Sequence, residues 1–113
     1  MGRKKLDNKV LSIGLELGLI DKVNKYADKE AMLKSHFVEK LIKEYKPNFQ
    51  VMDPIFFGRN RKRKAVGLAL SQEVNDKFQQ MRQEYGVTME VLLAALMADY
   101  EFKLANNGTE RPK

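Results

Sequence analysis

The sequence predicts a mainly α-helical fold with one two-stranded antiparallel β-ribbon, made of two strand–helix–helix units that pair within a single chain as a pseudo-dimer. Three observations predict it. Residues 9–45 align on residues 64–100 without a gap, 55 positions later, and their apolar positions coincide although few letters do. Leu11 matches Val66, Ile13 matches Leu68, Leu15 matches Leu70, Val23 matches Phe78, Phe37 matches Leu92 and Leu41 matches Leu96. Each copy opens on strict alternation and then changes to a helical period. Each is also too small to bury a core alone, and its lone strand would leave both edges unpaired.

The elements follow in order. Leu11-Ser12-Ile13-Gly14-Leu15 and Val66-Gly67-Leu68-Ala69-Leu70 alternate apolar with small residues, the pattern of a strand with one buried face. Leu19, Val23 and Tyr26, and likewise Val74, Phe78 and Met81, follow the i, i+4, i+7 spacing of an amphipathic helix. Ser71 suits the N-cap of the second copy's first helix, whereas Glu16-Leu17-Gly18 is a weak start at which the helix is expected to fray. Gly86 ends that helix in the second copy and Thr88 caps the next. The second helices turn Phe37, Val38, Leu41, Ile42 and Tyr45, and Leu92, Leu93, Leu96, Met97 and Tyr100, inward. The chain thus divides into a basic arm (1–8), unit 1 (9–45), an apolar connector and second basic arm (46–63), unit 2 (64–100) and a tail (101–113) expected to be unstructured after Leu104.

Phe49, Val51, Met52, Ile55, Phe56 and Phe57, with Pro47 and Pro54, make the connector unlike a flexible Gly/Ser tether. It is expected to pack along the helical core. The alternative is an exposed apolar patch that joins molecules into larger assemblies.

The chain has 113 residues, the length of one domain, a formal net charge of +6 and no cysteine. Its pI is near 9.6. An anionic partner fits this balance, and neither a disulfide framework nor a thiolate metal site is available. No apolar stretch reaches the roughly 20 residues of a membrane span, and Met1-Gly2-Arg3-Lys4-Lys5 is not followed by a signal-peptide core. A cytoplasmic protein is expected. Catalysis is not expected: His36 is the single histidine, no phosphate-binding glycine loop occurs, and the acidic residues are spread over helical surfaces. No cofactor or metal is implied.

The positive charge is concentrated. Arg3-Lys4-Lys5 precedes the first strand, and Arg59-Asn60-Arg61-Lys62-Arg63-Lys64 precedes the second. Such clusters read equally as solvated arms or as phosphate contacts, and their repetition before both strands would favour phosphate in a DNA-binding fold.

The strand–helix–helix order, with Gly86-Val87-Thr88-Met89-Glu90-Val91-Leu92-Leu93 at the turn before the second helix, resembles the ribbon-helix-helix family. The matching stretch of the first copy is Ala31-Met32-Leu33-Lys34-Ser35-His36-Phe37-Val38, and the resemblance covers about two thirds of the chain. It implies a double-stranded DNA-binding protein whose ribbon enters the major groove, in the tandem, single-chain form of the family. It further implies base contacts from Asn8, Ser12, Arg61 and Arg63 on the outward strand face. Phosphate contacts are implied for Lys4, Lys5, Lys9, Lys34, Ser35, Lys62, Lys64, Thr88 and Met89. The function implied is transcriptional regulation, or accessory service to a relaxase at a plasmid transfer origin.

The outward face departs from the family. It reads Asn8, Val10, Ser12, Gly14 and Glu16, then Arg61, Arg63, Ala65, Gly67, Ala69 and Ser71, with small residues where long polar ones are usual. A deeper-seated ribbon with few polar contacts, binding by charge and DNA shape, and a surface turned over to a protein partner remain open. Glu16 is expected to pair across the ribbon with Arg61 or Arg63. Leu33 stands where Thr88 does, so unequal half-sites are expected. A protein-interaction module, or an antitoxin, that kept the fold with weak and unspecific DNA binding is the alternative function, although family antitoxins usually carry one such unit followed by a long partner-binding tail.

Overall fold

The computed structural model describes residues 8–53 and 62–109. The order is β1 (Asn8–Glu16), α1 (Leu17–Lys29), α2 (Lys34–Glu44), β2 (Arg63–Ser71), α3 (Gln72–Tyr85) and α4 (Met89–Thr109). It is a mainly helical chain with a two-stranded antiparallel sheet, as the alternation and the helical spacing predict. Residues Asn8 to Glu16 pair with Ser71 to Arg63, and the middle pair is Ser12 with Gly67. Those two residues stand 55 positions apart, the spacing of the sequence repeat.

One face of the ribbon is buried. Ile13, Leu15, Val66, Leu68 and Leu70 lie beneath it, while Val10, Ser12, Gly14, Ala65 and Gly67 face outward. The helices below divide into two kinds. α1 and α3 bury one stripe each, Leu19, Val23 and Ala27 in one and Val74 and Phe78 in the other. α4 is buried on every side from Glu90 to Tyr100, as an almost continuously apolar helix must be. Together with Phe37, Val38, Leu41 and Ile42 of α2 it forms the centre of the core. Each fully buried Leu or Phe contributes roughly 1.5–3 kcal/mol of transfer free energy.

Tyr100 joins the halves. Its ring meets Tyr26, Phe37 and Tyr45 edge-on at centroid distances of 5.0, 5.2 and 5.5 Å. Its hydroxyl donates to Glu30 at 2.7 Å, and Lys40 donates to the other Glu30 oxygen at 2.9 Å. Tyr26 donates in turn to Glu101 at 2.7 Å. Burial, then the Glu101 hydrogen bond, push Tyr26 up to about 12; burial and the bond to Glu30 push Tyr100 higher still. The Tyr100 and Lys40 hydrogen bonds hold Glu30 below the usual carboxylate range, and the bond to Glu30 raises Lys40. The signs agree. Both tyrosines and Lys40 keep their protons longer when folded, so the stability they contribute is complete below about pH 10 and lost as pH rises. The contribution of Glu30 is complete above about pH 4 and lost as pH falls through its lowered value. Denaturation curves taken between about pH 9 and pH 11 should show falling stability, and Tyr100→Phe should flatten that decline.

The breaks between paired helices occupy equivalent positions with different residues. Gly86 takes φ +66° at the end of α3, and Ala31, 55 positions earlier, takes φ +56° after α1. In both, the following amide closes the cap: Met32 N–H to Ala27 at 2.8 Å and Val87 N–H to Arg82 at 3.3 Å. A Cβ in this region costs roughly 1–2 kcal/mol, partly offset by the entropy a glycine loses. Ala31→Gly should therefore raise stability by about 0.5–1 kcal/mol, and Gly86→Ala should lower it by a similar amount, both read from thermal melts.

Two expectations need correction. The Glu16-Leu17-Gly18 start is well capped: Glu16 Oε1 accepts the Leu19 N–H at 3.1 Å. A Cβ on Gly18 would stand 3.0 Å from that oxygen, so this glycine leaves room for the carboxylate to fold back. The chain after Leu104 continues as α4 to Thr109; no proline interrupts it before Pro112, and each added residue extends an existing hydrogen-bond ladder at little cost.

Of the connector, residues 46–53 are described. Lys46 N–H and the Asn48 side chain donate to Asp99, Asn48 N–H donates to Ala95, Met52 is buried and Phe49 meets Tyr85 at 5.6 Å. The aromatic stretch Ile55-Phe56-Phe57 lies outside the described residues.

Candidate nucleic-acid interface

The outward ribbon face is nearly flat. Val10 faces Ala69, Ser12 faces Gly67 and Gly14 faces Ala65, so the middle carries only Val10 and Ser12 as side chains of any reach. Val10 is 75% exposed. A Cβ at Gly67 would come within 3.3 Å of its Cγ1, so the glycine gives the valine its room. A ribbon has two strands about 4.8 Å apart, and the DNA major groove is about 12 Å wide.

Each outer edge of the ribbon is tied at one end to a second helix. Ser35 Oγ accepts the Ala69 N–H at 2.8 Å and Glu39 accepts the Ser71 N–H at 2.7 Å, which ties α2 to β2. Glu90 Oε2 accepts the Glu16 N–H at 2.7 Å, which ties α4 to β1. These bonds occupy outward amides near the C-terminal end of each strand, where a further strand would otherwise pair.

Arg63 is displaced from its expected partner. It stands opposite Glu16 in the register, yet the Glu16 carboxylate caps α1 and Arg63 Nε donates to Glu90 Oε1 at 3.1 Å. The cross-strand Glu16–Arg63 charge pair therefore does not form: the helix amide three residues on is the nearer partner for Glu16. Glu90 is 6% exposed at its side chain and Arg63 44%. The Arg63 stem passes over β1, its Cδ at 3.9 Å from where a Gly14 Cβ would stand. Ser12, Ile13, Gly14, Arg63, Thr88, Met89 and Glu90 line a shallow groove of about 440 Å³ along this edge.

Lys62 and Lys64 are exposed at the start of β2, and the Lys62 carbonyl accepts the Leu17 N–H at 3.1 Å. Thr88 is exposed and caps α4, accepting the Val91 N–H at 3.2 Å. Met89 is half-buried beside Gln79. In the first unit Leu33, 69% exposed, starts α2 without a side-chain cap. Ser35 commits its oxygen to the ribbon edge, leaving its hydroxyl proton for another acceptor, with Lys34 half-buried next to it. Asn8 and Lys9 begin β1 opposite Ser71 and Leu70. Lys4, Lys5 and Arg61 lie outside the described residues.

Glu90 and Glu39 escape a reading by sequence pattern. The available signal was a single carboxylate in the first turn of the most apolar helix, where burial demands a partner. Among the described residues no cluster of His, Cys, Asp or Glu is arranged to hold a metal, and no helix is long and apolar enough to cross a membrane. No family model, curated protein or solved structure matches the chain.

Proposed function

We propose that this protein is a ribbon-helix-helix DNA-binding protein, folded as a single-chain pseudo-dimer, that lays the outward ribbon face in the major groove. It acts as a transcriptional regulator or as an accessory protein for a relaxase at a plasmid transfer origin. The observation that carries the reading is the ribbon register. It is centred on Ser12 and Gly67, the same position of the two repeats, so the pairing is two-fold symmetric about that point. The second helix of each repeat bonds to the strand of the other, as in an intertwined dimer. Lys62, Arg63 and Lys64 supply exposed cations at one ribbon end, and the net charge of +6 gives the electrostatic term that dominates DNA affinity.

The half-sites are unequal. Thr88 caps one second helix where Leu33 leaves the other uncapped, and Glu90 stands where the first unit has Ser35. The preferred DNA site is therefore lopsided. Fluorescence anisotropy of a labelled random duplex pool against the full chain tests binding itself: log affinity should fall steeply and linearly with log salt. A salt-independent signal or no binding would remove the reading.

A second reading rests on Val10 and the small residues around it. A face this bare of hydrogen-bonding side chains also suits a protein partner, with DNA binding weak and unspecific. Co-purification of a protein from nuclease-treated extract, unaffected by salt, would favour it.

A further inference from the structure

Resting on the DNA-binding reading, we propose that Glu90 is a positioning residue that draws Arg63 across the ribbon and fixes its guanidinium at the β1 edge, where it contacts DNA backbone phosphate rather than base edges. The path of the side chain carries the argument. Arg63 starts on β2, opposite Glu16, yet its stem lies over Gly14 of β1 and its Nε ends 3.1 Å from Glu90, which leads α4 beyond that strand. A base-reading arginine would project from the ribbon into the groove. This one runs sideways.

The anchor is well held. Both Glu90 oxygens accept hydrogen bonds, one from Arg63 and one from the Glu16 amide, and the carboxylate is almost fully buried. Bonding through Nε uses one of the five N–H donors and leaves the end-on face of the guanidinium, with an N–H from each terminal amino group, for another acceptor. The side chain stays 44% exposed in the groove it shares with Thr88. A planar fork held by one nitrogen is suited to two parallel bonds to phosphate oxygens. The arrangement occurs once: the positions 55 residues earlier are Asn8 and Ser35, neither of them charged. It therefore gives one ribbon end a backbone clamp that the other lacks.

The test uses the full chain, the same random duplex pool, and the variants Arg63→Gln, Glu90→Gln and the double variant, with thermal melts to confirm folding. Two readouts are taken, the slope of log affinity against log salt and the base pattern enriched from the pool. Arg63→Gln should reduce the salt slope by about 0.9, one phosphate contact, and leave the enriched pattern unchanged. Glu90→Gln should weaken binding although it makes the chain more positive, and that weakening should vanish in the Arg63→Gln background. The double variant restores charge balance, so it keeps the test valid if Arg63→Gln alone is poorly folded. Loss of a base preference without change of slope would overturn the proposal, since Arg63 would then read bases. Tighter binding by Glu90→Gln would also overturn it, because Glu90 would then be opposing the arginine. A parent chain that binds no DNA would remove the parent reading and this inference together, before any variant is compared.

Discussion

Leu68→Asp is expected to leave the chain unfolded. Leu68 is fully buried beneath the centre of the ribbon, opposite Leu11 and next to the Ser12–Gly67 pair. The substitution removes roughly 1.5–3 kcal/mol of burial and adds several kcal/mol for a carboxylate with no partner. That sum falls within the whole stability of a typical domain, about 5–15 kcal/mol. The matched control is Val10→Asp, which puts the same charge on the outward face at a residue 75% exposed. Circular dichroism should show a cooperative melt for Val10→Asp and none for Leu68→Asp. The contrast tests the strand register, because a slip by one residue would exchange the two faces and reverse the result.

The second large effect concerns binding. Lys62 and Lys64 are exposed at the ribbon end, clear of the core, so replacing both by alanine should leave the melting temperature nearly unchanged. Two lost phosphate contacts should lower the salt slope by about 1.8 and the affinity on the order of thirtyfold at about 0.15 M salt. Equal affinity for parent and variant would take this end of the ribbon out of the interface. A drop in affinity with an unchanged slope would mean that the lysines act through structure instead of charge.

Much of the architecture was legible because it is written in periods. Alternation placed Ile13, Leu15, Val66, Leu68 and Leu70 on the buried face, and the i, i+4, i+7 spacing placed Leu19, Val23, Val74 and Phe78 on the helices. Its glycine marked position 86 as a helix end, but the equivalent Ala31 carried no such mark, since alanine rarely takes a positive φ. What stayed illegible were bonds between single side chains and distant backbone. Glu90 reaches the Glu16 amide across 74 positions and Ser35 reaches Ala69 across 34. Contacts of that kind follow from the tertiary arrangement and leave no period in the sequence. Glu16 illustrates the limit most clearly. The pairing register put it opposite Arg63 as expected, yet a helix amide three residues away claimed its carboxylate and a buried glutamate claimed the arginine. For the candidate interface, the sequence located the exposed face and the basic cluster, while the direction in which Arg63 points became visible only with α4 in place.

The measurement that tests the central claim most directly is selection from a pool of random duplexes, sequencing what the purified full chain retains at about 0.15 M salt. The ribbon reading expects an enriched, lopsided site of two linked half-sites, with the weaker constraint at one end. Retention without enrichment, or no retention, would contradict base recognition by the ribbon and turn attention to a protein partner for its outward face.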